Sequence, residues 1–203
     1  MSRPLGIGII GCGKISDVHA QGYSMFPEKA KIVATADVDE ERARSKAEIW
    51  KAESYYSDYK QLLARQDVDA VDICSPHYLH AEMSVAAAKA NKHMLLEKPI
   101  ATTVKEADQI LNAVRRANVK LMVAFNRRFM LANRKMKELI SAGAIGRIFL
   151  AVVEVGGFAH YPADSWRASL RESGGGAAAG AVHAIDQLLW LVGEVSAVYA
   201  IAE

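Results

Sequence analysis

The segment Gly8-Ile9-Ile10-Gly11-Cys12-Gly13-Lys14-Ile15-Ser16 sets two glycines between a short apolar run and a helical pattern. Gly11 suits a tight turn. At Gly13 a missing Cβ lets backbone come close to a bulky anion. A helix beginning near Lys14 and Ile15 presents free N–H groups and its positive dipole end to phosphate. Ser16 stands where a third glycine is common in such loops, and it is small enough for close helix–strand packing. Asp37 closes the next apolar run, 24 positions beyond Gly13. A carboxylate there accepts both hydroxyls of a ribose and repels a 2′-phosphate. Gly11, Gly13, Lys14, Ile15 and Asp37 therefore read as dinucleotide contacts. NAD is favoured over NADP because Val38, not a basic residue, follows Asp37. Arg42 and Arg44 keep the NADP alternative open. Taken singly, the same residues are a Gly-rich turn and a turn cap.

A second group lies further along. Glu97-Lys98-Pro99 follows an apolar run, and Pro99 biases Lys98 toward extended backbone. An ammonium held there near a cofactor polarises a hydroxyl or carbonyl oxygen. Ser75-Pro76-His77-Tyr78-Leu79-His80 and Asn126-Arg127-Arg128-Phe129 also follow apolar runs. Ser75, His80, Glu97, Lys98 and Asn126 are candidate cofactor contacts on these segments. Trp166 either packs on the cofactor or fills core. No metal is expected, since His19, His77 and His160 lack ligand companions in the sequence. No GxSxG nucleophile elbow occurs.

The elements that must position these residues alternate. Strands are expected at Leu5–Ile10, Lys31–Ala36, Ser54–Tyr56, Ala70–Cys74, His93–Leu96 and Lys120–Ala124. Helices are expected at Lys14–Met25, after Asp39, near Asp58–Ala64, at Leu79–Asn91 and from Thr103 to Ala117. Thr103 and Glu106 have capping-box spacing. Alternating strands and helices imply crossovers, and nearly continuous apolar runs imply strands buried on both faces. The expected fold class is α/β, a Rossmann-type doubly wound parallel sheet over residues 1–124. From 125 the rhythm changes to a partial α+β second domain. It has a helix at Leu131–Ala142, strands at Arg147–Val155 and Val195–Ile201, and a helix at Val182–Leu191. In an open parallel sheet ligands lie beyond the carboxyl ends of the strands, so the candidate residues above would share one crevice.

Composition narrows the class. The chain has 203 residues, 51% hydrophobic, with 25 Lys and Arg against 23 Asp and Glu. That apolar share excludes disorder, and a net charge of +2 gives no reason to expect nucleic acid or an anionic membrane as partner. Cys12 and Cys74 do not form a disulfide framework. The short apolar run at the start is neither a spanning segment nor a signal peptide, so a cytoplasmic protein is expected.

Taken together, GCGKIS, AD, SPHYLH, EKP, NRRF, WR, SGGG and HAID resemble the glucose–fructose oxidoreductase and inositol dehydrogenase family (Gfo/Idh/MocA) over the whole chain. The resemblance implies a nucleotide domain followed by an α+β domain carrying the substrate and usually the oligomer interface, hence a homo-oligomer. It also implies hydride transfer between nicotinamide and a sugar, polyol or related alcohol. Lys98 matches the family's catalytic Lys, and His183 its catalytic His. Two departures stand out. The family's Asp four residues before that His is Ala179 here. The chain also stops after about 78 residues of the second unit, where the family's large sheet continues, and so reads as cut short or completed by a partner. Two alternatives follow: a non-catalytic NAD-binding regulatory paralogue, and an NAD-dependent glycosidase.

Overall fold

The computed structural model describes residues 3–157, 160–176 and 180–201. Six strands and five helices alternate through its first part. They are β1 (Leu5–Ile10), α1 (Lys14–Ser24), β2 (Ala30–Ala36), α2 (Glu40–Trp50), β3 (Ser54–Tyr56), α3 (Tyr59–Leu63), β4 (Ala70–Ile73), α4 (His80–Lys89), β5 (His93–Leu96), α5 (Val104–Ala117) and β6 (Leu121–Val123). The strands form one sheet in the order β3-β2-β1-β4-β5-β6, and every neighbouring pair is parallel. The expected doubly wound sheet is thus present, with its order reversing between β1 and β4.

Strand side chains alternate faces, so each strand feeds two cores. On one face Ile7, Ile9 and Ile32 pack with Ala20 of α1, flanked by Tyr23 and Trp50. On the other, Ile10, Val33, Val71, Ile73 and Leu96 pack with Leu62, Met83, Ala87 and Ile110 from α3, α4 and α5. The apolar runs are continuous because both faces are covered. Helix starts follow local chemistry. Asp39 accepts the Arg42 N–H, Asp58 accepts the Lys60 N–H, and Thr103 and Glu106 form the capping box read from their spacing.

After β6 come a 3₁₀ turn (Asn126–Phe129), α6 (Leu131–Ser141), the single turn α7 (Leu170–Ser173) and α8 (Val182–Val192). The strands expected at 147–155 and 195–201 do not form a ladder among the described residues. Their side chains stand open, Phe149 at 94% and Tyr199 at 88% exposure. An alternating segment becomes a strand only when neighbours take its N–H and C=O groups, and none of the described residues does so here. No helix among the described residues is long and apolar enough to cross a membrane.

β1 runs very close to the loop before β4. A Cβ on Gly6 would lie 1.9 Å from the Asp67 carbonyl oxygen. Gly6→Ala is therefore expected to destabilise the fold by about 1–3 kcal/mol or more, because backbone must move. Urea unfolding checks this; a midpoint equal to that of the unsubstituted chain would contradict the packing described.

Candidate active site

The carboxyl ends of β1, β2, β4 and β5 surround a crevice of about 510 Å³, within the usual range for a ligand site. Gly11, Gly13, Lys14, Ile15, Asp37, Ser75, Glu97, Lys98 and Trp166 line it, joined by Arg42, Cys74, Pro76, His77 and Arg167. A larger groove between α4 and α5, about 1150 Å³, is lined by helix side chains such as Glu82 and Arg116 and holds none of the candidate residues.

The glycine loop has two differently constrained glycines. Gly11 has φ +92°, and a Cβ there would lie 2.8 Å from the Cys74 carbonyl carbon. The neighbouring strand end therefore requires this glycine. At Gly13 a Cβ would meet nothing within 4 Å. Gly13 is the N-cap of α1 and makes no side-chain cap, so the first N–H groups of the helix open onto the crevice. No packing demand among the described residues explains Gly13. Open backbone at a helix start does suit a pyrophosphate. Ser16 is fully buried, and its hydroxyl donates to the Gly13 carbonyl.

Asp37 closes β2. Its Oδ2 accepts the Cys12 N–H at 2.8 Å and its Oδ1 the Asp39 N–H at 3.0 Å. Oδ2 keeps a further lone pair for a ribose hydroxyl. Arg42 reaches Asp37 Oδ1 at 3.4 Å, whereas Arg44 pairs with Glu41. Of the two arginines in question, only Arg42 stands at the crevice.

Lys98 enters from the end of β5, and the Lys98–Pro99 peptide is cis. Burial lowers the pKa of its ammonium, Glu97 acts to raise it, and Arg167 and Arg127 add to the lowering. Trp166 and Arg167 cover the crevice from the second half of the chain. The Trp166 ring stands edge-on to His77, with centroids 4.6 Å apart, and Arg167 lies over the Trp166 ring. His77 Nδ1 is 2.7 Å from the Ser173 carbonyl oxygen, a bond joining the two halves. Burial lowers the His77 pKa to about 4.

His183 sits in the first turn of α8, partly buried, with its ring edge-on to Phe125. Burial lowers its pKa, and the charges of Lys98 and Arg127 lower it further. Its Nδ1 is buried with no hydrogen-bond partner among the described residues. Ala179 lies outside the described residues. Asp186, one turn further along, is taken by a bidentate pair with Arg128, and Gln187 donates to Asn133. These contacts seat α8, and with it His183, against the 3₁₀ turn and α6.

Two expected contacts lie elsewhere. His80 is fully buried, with Nδ1 2.7 Å from the Pro99 carbonyl oxygen and Nε2 3.1 Å from that of Ser75. It ties two strand-end loops together and cannot touch a ligand in the crevice. Asn126 is not among the residues lining this crevice; it lines an apolar groove with His19, Tyr23 and Phe129. Sequence reading missed the roles of His77 and Arg167. It also missed a cluster beneath Glu97. The signal for that cluster was Asp72, a carboxylate inside an otherwise apolar buried strand.

Comparison with known proteins matches these features. Residues 5–125 fit the family model described as "Oxidoreductase family, NAD-binding Rossmann fold". Residues 133–203 fit the "GFO/IDH/MocA C-terminal domain". The chain belongs to the GFO/IDH/MocA oxidoreductase family. It carries that family's NAD-binding Rossmann fold over residues 5–125. Among GFO/IDH/MocA relatives, myo-inositol 2-dehydrogenase of Thermotoga maritima is 34% identical over 188 residues, covering 93% of this chain and 55% of that protein. Levoglucosan dehydrogenase of Pseudarthrobacter phenanthrenivorans is 36% identical over 212 residues, covering 97% and 53%. A solved levoglucosan dehydrogenase in complex with NADH and levoglucosan superposes with a TM-score of 0.85 at 32% identity, covering 95% of this chain and 55% of that one. The chain thus spans about half the length of the curated relatives it matches.

Gly13→Ala is the sharpest test of the crevice. With nothing near its Cβ, it is expected to keep folding stability within about 1 kcal/mol while dinucleotide affinity falls at least about tenfold. Thermal unfolding and calorimetry with NADH check the two halves; unchanged affinity would remove the pyrophosphate assignment.

Proposed function

We propose that this chain is the cofactor-binding part of an NAD-dependent dehydrogenase acting on a CH–OH group of a sugar, polyol or related alcohol. The observation that carries the reading is one crevice combining the open Gly13 backbone, the Asp37 carboxylate and the Lys98 ammonium. NADP is the less favoured cofactor, since the Asp37 carboxylate stands where a 2′-phosphate would lie. The relatives' names and the bound NADH and levoglucosan of the superposed structure support this choice of reaction and substrate class. We further propose a division into a nucleotide domain at 1–124 and the start of a substrate and oligomerisation domain at 125–203. The assembly would be a cytoplasmic homo-oligomer with no nucleic-acid partner.

NAD supplies the hydride acceptor, or in its reduced form the donor. Gly11, Gly13, Lys14 and Ile15 would hold its pyrophosphate, Asp37 its ribose, and Ser75, Glu97 and Trp166 the walls around it. The Lys98 ammonium stabilises negative charge growing on the substrate oxygen, and the flanking Arg127 and Arg167 charges sharpen that field. His183 takes the hydroxyl proton in the oxidative direction and returns it in the reverse. With Nδ1 buried, the working nitrogen is Nε2, which needs the proton on Nδ1. The depressed His183 pKa keeps Nε2 free to accept below pH 6.5, the ordinary histidine value. A regulatory paralogue is the second reading, favoured by a His183 Nδ1 with no hydrogen-bond partner among the described residues.

Three measurements bear on this. Lys98→Ala should keep NADH affinity within a few-fold and lower turnover by about 10²-fold or more; turnover within a few-fold of the unsubstituted protein would remove Lys98 from the chemistry. Asp37→Ala should weaken NAD and narrow its advantage over NADP, and superimposable titrations would reject the ribose contact. The acid limb of kcat/KM for alcohol oxidation should fall below pH 6.5 and vanish as a titration in His183→Ala.

A further inference from the structure

Beneath the crevice floor, His19 of α1 lies between two carboxylates from different strands. Its Nδ1 is 2.9 Å from Asp72 Oδ2 and 3.0 Å from Oδ1. Its Nε2 is 3.1 Å from Glu97 Oε1. Asp72 is fully buried in β4 and also accepts the Tyr23 hydroxyl at 2.9 Å. The Cys74 thiol stands 3.5 Å from Asp72 Oδ1. Glu97 turns its second oxygen to the Lys98 N–H at 3.0 Å. A continuous chain of contacts thus runs from Tyr23 through Asp72, His19 and Glu97 to the backbone of Lys98.

A neutral imidazole has one N–H and one lone pair. Facing a carboxylate at each nitrogen, it would push that lone pair against a carboxylate oxygen. Only the imidazolium donates on both sides. Burial acts to lower the His19 pKa, but hydrogen bonds to Asp72, Cys74 and Glu97, with the Asp72 charge, push it up to about 12. Asp72, His19, Glu97 and Lys98 then form a run of alternating charge from the sheet interior to the crevice. Each buried charge has an opposite neighbour, which a dry site requires.

We propose that His19 is a positioning residue: an imidazolium that clamps Asp72 and Glu97 together and so fixes the turn that delivers Lys98 into the crevice. The claim rests on the reading of Lys98 given above, but the protonation state of His19 stands apart from it. A divalent cation is the rival occupant, because His19, Asp72 and Cys74 bring ligand atoms within 4.8 Å of one another. Such an ion would need Nδ1 without its proton and Cys74 as thiolate. The 2.9 Å between Nδ1 and Asp72 Oδ2 is a direct hydrogen-bond distance, so the geometry favours the proton.

The test is nitrogen NMR on the full chain labelled at histidine. Both His19 ring nitrogens are expected to carry protons at pH 8, with no titration between about pH 6 and 9, where an ordinary histidine titrates near 6.5. A neutral ring at pH 8 overturns the proposal. So does stoichiometric Zn²⁺ binding that removes the Nδ1 proton signal. The link to Lys98 is read from its Cε resonance. In His19→Gln the cation is gone and Glu97 is left to Lys98 alone, so the Lys98 midpoint should rise by roughly half a unit or more. An unchanged midpoint in folded H19Q shows that His19 does not reach Lys98. Should H19Q lose its fold, Glu97→Gln tests the same contact. It must lower the His19 midpoint, and an unmoved midpoint overturns the clamp. None of these readouts needs turnover, so a failed substrate screen leaves them intact.

Discussion

The site depends on how closely β1 and β4 come together where the sheet reverses its order. At Gly11 the chain turns with positive φ, and its Cα lies so near Cys74 that a Cβ would be 2.8 Å from backbone. That contact forces the loop upward and starts α1 with its N–H groups uncovered. It also brings Asp37, Ser75 and Lys98 to the same rim, because the parallel register sets Ile10 beside Ala36 and Ile73, and Ile73 beside Leu96. Move one strand by a residue and the rim disperses, since side chains alternate faces.

Charge is sorted around this rim. Lys14, Arg42, Lys98 and Arg167 line the crevice, while Asp72 is buried beneath it and Glu97 turns its carboxylate down toward His19. A dinucleotide brings negative charge, so cations facing it and carboxylates held behind favour binding without leaving buried charge unpaired. Asp37 is the exception at the rim, and ribose hydroxyls are what a carboxylate there can accept.

The second half of the chain is tied on by few, specific contacts. His77 meets Trp166 and the Ser173 carbonyl, and within the second half Arg128 grips Asp186. These bring Trp166 over the crevice and seat His183 within the field of Lys98. The same half leaves Phe149 and Tyr199 standing open, so its apolar residues outnumber the partners that the described chain offers them.

Local chemistry wrote much of this plainly. Continuous apolar runs, turn glycines, Asp39 and the Thr103–Glu106 spacing marked the elements, because each depends on neighbours a few residues away. That Gly11, Gly13 and Asp37 share one crevice was legible for the same reason, as they belong to one strand–turn–helix–strand unit. The sequence could not show that His80 turns inward to carbonyl oxygens, or that 147–155 lacks a ladder among the described residues. Nor could it show that His19 finds two carboxylates, 53 and 78 residues away along the chain. Those outcomes are set by which distant groups satisfy a donor or acceptor, and only the packed sheet decides that.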